Sequence, residues 1–133
     1  MTAAASKLTA SAAVLLVKDV VAAANHYRDA MGFAYDEFHG DPPCFVILGR
    51  DKVHLMLRQA DPRNVVPHKT VGEETWDIYF WVDDIEALYA DCVRRGARIS
   101  CELCDQSYGC REFAVRDLDG HEIGFGQVMN PKR

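Results

Sequence analysis

The alternation of hydrophobic periods along this chain predicts an α+β fold. Two tandem βαβββ modules build a cup-shaped, antiparallel-rich sheet, with the helices on its outer face. Three observations predict it. Several short runs alternate apolar and polar residues between Gly, Pro and Asp, as half-buried strands do. Two longer stretches repeat apolar residues at helical spacing. The order strand, helix, strand, strand, strand then occurs twice, and the copies match in detail. Val17-Lys18-Asp19-Val20 returns as Val82-Asp83-Asp84-Ile85, and the helix-stop Gly32 returns as Gly96.

The first module covers 1–62 and opens with a small-residue arm at 1–11. Residues 14–17 form an apolar strand. The run 12–17 is too short for a signal segment and is stopped by Lys18-Asp19. Asp19 is the expected N-cap of a helix whose buried stripe is Val20, Ala23, Ala24, Tyr27, Ala30 and Met31. Strands are expected at 33–38 and 45–48, with a loop between. A further strand at 52–58 alternates Val53, Leu55 and Leu57 with His54 and Met56. Residues 59–74, with two prolines and a glycine, read as a linker or mobile loop, its core at 63–74.

The second module covers 75–133. A strand at 76–82 places Ile78, Phe80 and Val82 on one face and Asp77, Tyr79 and Trp81 on the other. Asp83 reads as the cap of the second helix, with Glu86 completing a capping box. Ile85, Leu88, Tyr89, Cys92 and Val93 form the buried stripe. A strand at 97–103 follows. Last come two alternating runs, 111–116 and 122–127, joined by the turn Asp117-Leu118-Asp119-Gly120. Phe113, Val115, Ile123 and Phe125 share one face of that hairpin. The other face carries Glu112, Ala114, Arg116, Glu122, Gly124 and Gly126. Charge mixed with bare backbone suits a cavity, since strand glycines mark places of close approach. An ordinary edge hairpin has the same pattern, and the second module's likeness to the first favours the cavity.

Composition narrows the function. The chain has 133 residues, 49% of them hydrophobic and 26% charged, which describes a soluble globular domain. No apolar run approaches the ~20 residues of a membrane helix, so no membrane partner is expected. A net charge of −5 and a pI near 5.4 argue against nucleic acid and favour a neutral or cationic partner. Five cysteines without a secretory signal point to reduced thiols and a cytoplasmic location. Cys101-Glu102-Leu103-Cys104 is a CxxC without the second pair a zinc site needs.

The chain resembles the vicinal oxygen chelate superfamily of glyoxalase I, extradiol dioxygenases, fosfomycin-resistance enzymes and bleomycin-resistance proteins. It is most similar to the last. The resemblance is carried by Ser6-Lys7-Leu8-Thr9, Val14-Leu15 with Asp19-Val20, Met31-Gly32-Phe33, Val65-Val66-Pro67, Leu88-Tyr89-Ala90, and Gly109 with Arg111-Glu112-Phe113-Ala114 and Arg116-Asp117. It implies four metal-ligand positions, which here hold Ala12, Met56, Asp77 and Gly124. Ala and Gly have no donor atom and a thioether is a poor ligand for hard ions, so no cofactor is expected. A divalent metal remains only for the alternative, a glyoxalase-type lyase, isomerase or dioxygenase. For that reading His54 and Glu122 would have to improvise a site with Asp77.

The resemblance implies instead a homodimer, with an exchanged N-terminal strand, that sandwiches a flat cationic group between aromatic rings. Phe45 and Tyr108 take the two clamp positions, the family having Trp at the second. Tyr79 and Trp81 add ring area, and Asp77 and Glu122 suit a positive ligand. His54, Met56 and Arg111 complete the expected ligand-binding set. A third possibility is a structural module whose cup is filled by its own side chains. Two departures from the closest bleomycin binders stand out. Cys110 is inserted after Gly109, and the loop at 59–74 is longer and carries Glu73 and Glu74.

Overall fold

The computed structural model describes residues 5–129. In the first module β1 (Ala12–Val17), α1 (Val20–Met31), β2 (Phe38–His39), β3 (Phe45–Arg50) and β4 (Val53–Gln59) follow one another. The second repeats the order as β5 (Ile78–Trp81), α2 (Ile85–Arg94), β6 (Arg98–Asp105), β7 (Cys110–Arg116) and β8 (Glu122–Val128). Each module forms its own four-stranded sheet, ordered β1-β4-β3-β2 and β5-β8-β7-β6. In both, the first strand pairs parallel with the last and the remaining pairs are antiparallel. No helix among the described residues is long and apolar enough to cross a membrane.

The duplication extends to the caps. Asp19 accepts from the Ala22 amide at 3.0 Å and Asp84 from the Ala87 amide at 3.1 Å. Gln59 Oε1 accepts from Val20 N at 2.9 Å, and Gln127 Oε1 from Ile85 N at 3.0 Å. Each helix thus has two of its orphan amides satisfied, one by its own cap and one by the closing strand of its sheet. The second cap is Asp84 rather than Asp83, in register with Asp19. Glu86 makes no capping box, because its carboxylate meets Arg111 at 2.9 Å.

Two other expectations change. Residues 33–38 form no continuous strand. Backbone pairing there is limited to an Ala34–Gly49 bridge and the two residues of β2. Side chains anchor the segment instead: the Tyr35 hydroxyl donates to Asn25 of α1, and its ring packs on Phe38 at 4.9 Å. The linker is structured, with 3-10 turns at Pro62–Asn64 and His68–Val71 and with Val65 and Pro67 buried.

One apolar core runs through both modules. Leu15, Val17, Val46, Leu48, Leu55 and Leu57 face α1, while Phe80, Phe113, Val115, Ile123 and Phe125 form the inner face of the second sheet. Phe33 meets Phe80 at 5.8 Å, and Phe80 stacks on Phe125 at 5.6 Å, so the two halves share an aromatic seam. A polar lock closes it. The Tyr27 hydroxyl of α1 donates to Asp117 Oδ2 at 2.7 Å. Asp117 Oδ1 accepts from the amides of Asp119 and His121 at 2.9 and 2.8 Å. His121 Nε2 bonds the Leu16 carbonyl at 2.8 Å, and Lys18 N donates to Asp119 at 3.0 Å. The β7–β8 turn is therefore plugged into the first module. Burial pushes the Asp117 carboxyl and the Tyr27 phenol up from their ordinary values.

Tyr27→Phe keeps the ring and deletes the donor to a buried carboxylate. The expected loss is about 1–3 kcal/mol in denaturant unfolding, with the midpoint shifted and the slope unchanged. A loss too small to measure would show that the lock contributes nothing.

Candidate functional site: an aromatic cavity floored by a carboxylate

In each sheet the face turned from the core is uncovered. On the second sheet that face is set by register: Tyr79, Gly124, Ala114 and Cys101 lie in one row, and Trp81, Gly126, Glu112 and Cys104 in the next. Two shifts of register in β6 place Cys101 and Cys104 in successive rows although they are three residues apart. Burial, then proximity to Cys104, pushes the Cys101 thiol up, away from nucleophilic character.

The glycines make room for rings. A Cβ at Gly126 would lie 1.6 Å from the Tyr79 hydroxyl, and one at Gly124 would lie 2.5 Å from Trp76 Cδ1. Trp76, Tyr79 and Trp81 pack edge to face, with centroids 4.7 and 4.9 Å apart. The Tyr79 hydroxyl donates to Glu112 Oε1 at 2.9 Å, and the Tyr108 hydroxyl donates to the same oxygen at 2.6 Å. Burial and the neighbouring Glu112 push both phenols well above their ordinary values, so they act as donors. Glu112 itself is only 4% exposed.

An open concave space of about 470 Å³ is lined by Trp76, Tyr79, Trp81, Tyr108, Cys110 and Glu112. Trp76 and Glu112 also border a more polar space of about 340 Å³, reached by Ser100, Arg116 and Glu122. No residue of the first sheet lines either space. The site offers flat, electron-rich walls over a fixed acceptor. That arrangement suits planar, positively polarised groups.

The expected site residues divide. Tyr79, Trp81 and Tyr108 come together in the cavity. Glu122 borders the polar space, where it pairs with Arg116 at 2.8 Å and accepts from Ser100. Phe45, His54 and Met56 lie on the open face of the first sheet, with Phe45 6.0 Å from His39. Within one chain, therefore, Phe45 and Tyr108 do not clamp a common space. Arg111 falls on the opposite face, held by Asp105 at 2.6 Å and Glu86. Asp77 leaves the cavity as well. It precedes β5, and its carboxylate accepts from the amides of His68 and Glu122 at 2.9 Å each.

Sequence reasoning missed Trp76, which period two assigns to the other face, and undervalued Glu112. The signal for Glu112 was a carboxylate opposite Gly126, on a strand otherwise rich in apolar residues.

A divalent metal does not fit the four implied positions. Ala12 has no donor, rings fill the space at Gly124, and both Asp77 oxygens are engaged. Nor do His54, Asp77 and Glu122 converge, and no group of three or more His, Cys, Asp or Glu among the described residues is arranged around a common ion.

Residues 9–125 match the sequence profile of the Glyoxalase/Bleomycin resistance protein/Dioxygenase superfamily. A search of curated proteins finds no match. Among solved structures, the chain is similar to a bleomycin-binding protein from bleomycin-producing Streptomyces verticillus, complexed with copper(II)-bleomycin. The identity is 25% and the TM-score 0.69, covering 91% of this chain and 97% of that one. TnmS3, an antibiotic binding protein from Streptomyces sp. CB03234, is 20% identical with a TM-score of 0.71, covering 94% and 99%. TioX from Micromonospora sp. ML1 is 23% identical with a TM-score of 0.71, covering 90% and 98%.

Gly126→Ala puts a methyl group where the Tyr79 hydroxyl lies and must drive that ring off Glu112. The expected outcome is an altered near-ultraviolet circular dichroism spectrum and a stability loss of about 1–3 kcal/mol. An unchanged spectrum would mean that the ring does not occupy the glycine slot.

Proposed function

This chain belongs to the Glyoxalase/Bleomycin resistance protein/Dioxygenase superfamily, and on that premise we propose that it binds a small, planar, cationic organic molecule without metal or chemistry, as an antibiotic-sequestering protein does. The observation that carries the reading is the cavity itself, with two indole and two phenol rings around an acidic floor. Structural similarity to a bleomycin-binding and an antibiotic-binding protein supports it. The enzymatic alternative needs ligands that Ala12, Gly124 and the engaged Asp77 do not supply.

A second copy of the chain completes the site in this proposal. The cavity is walled by one sheet only, and the open face of the other sheet exposes Val14 and Ile47, both about half-exposed by area at 54% and 42%. Leu8, fully exposed in the arm ahead of β1, is the apolar residue a partner would cover. In such a dimer Phe45 of one protomer faces Tyr108 of the other, which restores the clamp that a single chain lacks.

Titration with bleomycin or a similar planar cation should change the fluorescence of Trp76 and Trp81. Trp81→Ala, Tyr108→Ala and Phe45→Ala are each expected to weaken binding by about 1–3 kcal/mol, tenfold or more, with melting little altered for the exposed Trp81 and Tyr108. Light scattering should give a dimer at micromolar concentration that is lost when residues 1–17 are removed. A panel of such ligands without any fluorescence response would overturn the function. A monomer that binds with unchanged affinity after Phe45→Ala would overturn the shared cup.

A further inference from the structure

We propose that Glu112 sets the specificity of this cavity, selecting ligands whose cation carries N–H donors, such as an amidinium, a guanidinium or a protonated ring nitrogen. The inference rests on the binding function proposed above and names the chemistry it reads.

Glu112 is 4% exposed, yet it has no cationic partner among the described residues. Arg111 is engaged with Asp105 and Glu86 and Arg116 with Glu122, and Lys69, which lines the polar space, makes no ion pair with Glu112. Both donors that reach Glu112, the hydroxyls of Tyr79 and Tyr108, converge on Oε1. Oε2 receives no hydrogen bond from any described residue, and the side chain borders both the aromatic and the polar space. A phenol hydroxyl that donates leaves the carboxylate as pure acceptor, and one carboxylate oxygen can take two donors. The two tyrosines therefore saturate one oxygen, fix the plane of the group and leave the other free to accept from a ligand.

An unpaired buried carboxylate is met best by a charged donor, since charge-assisted hydrogen bonds are shorter and stronger than neutral ones. A quaternary cation would satisfy the charge and the ring faces but leave the lone pairs of Oε2 without hydrogen. Charge alone does not pass this filter. Charge together with a donor does. Trp76 and Trp81, edge-packed on Tyr79, hold the ring system that would carry the cation.

The test compares three probes of one shape by tryptophan fluorescence: 2-naphthamidine, a cation with N–H groups; trimethyl(2-naphthyl)ammonium, a cation without them; and neutral 2-naphthamide. The full-length protein should bind the amidine at least tenfold more tightly than the quaternary ion. In Glu112→Gln, Oε1 can keep both phenols while an amide donor faces the cavity. That variant should lose the preference for the amidine and bind the neutral amide at least as well as wild type does. Equal affinity of the unaltered protein for the two cations would overturn the inference with no variant needed, and would leave the binding function standing. A preference that survives Glu112→Gln would overturn it likewise. If neither bleomycin nor any of the three probes perturbs the fluorescence, the proposed function falls, and this inference with it.

Discussion

The hydrogen bond from Tyr27 to Asp117 is the constraint on which the rest of the molecule depends. It joins the helix of one module to the hairpin turn of the other through a fully buried pair. A buried carboxylate has to be satisfied, and here one phenol and two backbone amides do so. The turn is thereby shaped and docked in the same step. Turn geometry fixes hairpin register, and a one-residue slip would send every side chain of β7 and β8 to the opposite face. The pairing of Glu112 with Gly126 and of Ala114 with Gly124 follows from where Asp117 sits. The open face inherits its chemistry from a bond made on the closed one.

The two modules use a common set of polar devices with different contents. Asp19 and Asp84 start the helices, and Gln59 and Gln127 reach back from the closing strands to the first helical amide. These contacts tie each helix to the last strand of its own βαβββ unit, so each unit is closed before it meets the other. The faces left open then diverge. The first presents Val14 and Ile47 beside Phe45, His54 and Met56, whereas the second combines rings and glycines with the carboxylates of Glu112 and Glu122. A duplicated scaffold has kept its caps and changed its linings.

Much of this was legible in the sequence, because period and punctuation are local properties. The element order, the repeat, the buried stripe of the first helix and the two faces of the last hairpin all follow from spacing. In the second helix Ile85 and Cys92 are buried as expected, but Val93 is half-exposed because it sits at the edge of the stripe. What was not legible depends on contacts made across the fold. Residues 33–38 have strand composition but are held by Tyr35 reaching Asn25, a side-chain tether that propensity does not register. Trp76 and Asp77 were assigned by extending the period of β5 backwards. The strand starts at Ile78, and ahead of it the chain turns so that the indole enters the cavity and the carboxylate leaves it. Arg111 was placed beside the ligand by family likeness, but Asp105 and Glu86 draw it to the other face. The role of Glu112 could not be read until two tyrosines, one four residues away and one 33 residues away, were seen to meet on it.

The glycine slot under Tyr79 has a further consequence. In this sheet a coordinating side chain at position 124 and an aromatic wall cannot coexist, because they claim the same volume: even a methyl group there overlaps Trp76 and Tyr79. Converting the cavity into a metal centre would first require the rings to leave. Restoring a wall in a metal-binding cousin would require a ligand to shrink to glycine. The scaffold thus offers two mutually exclusive occupancies of one space, and passage between them runs through a sheet that has neither. Binding by rings and chemistry by metal are alternatives separated by a steric barrier in sequence space, and no gradual blend of the two is available at this position.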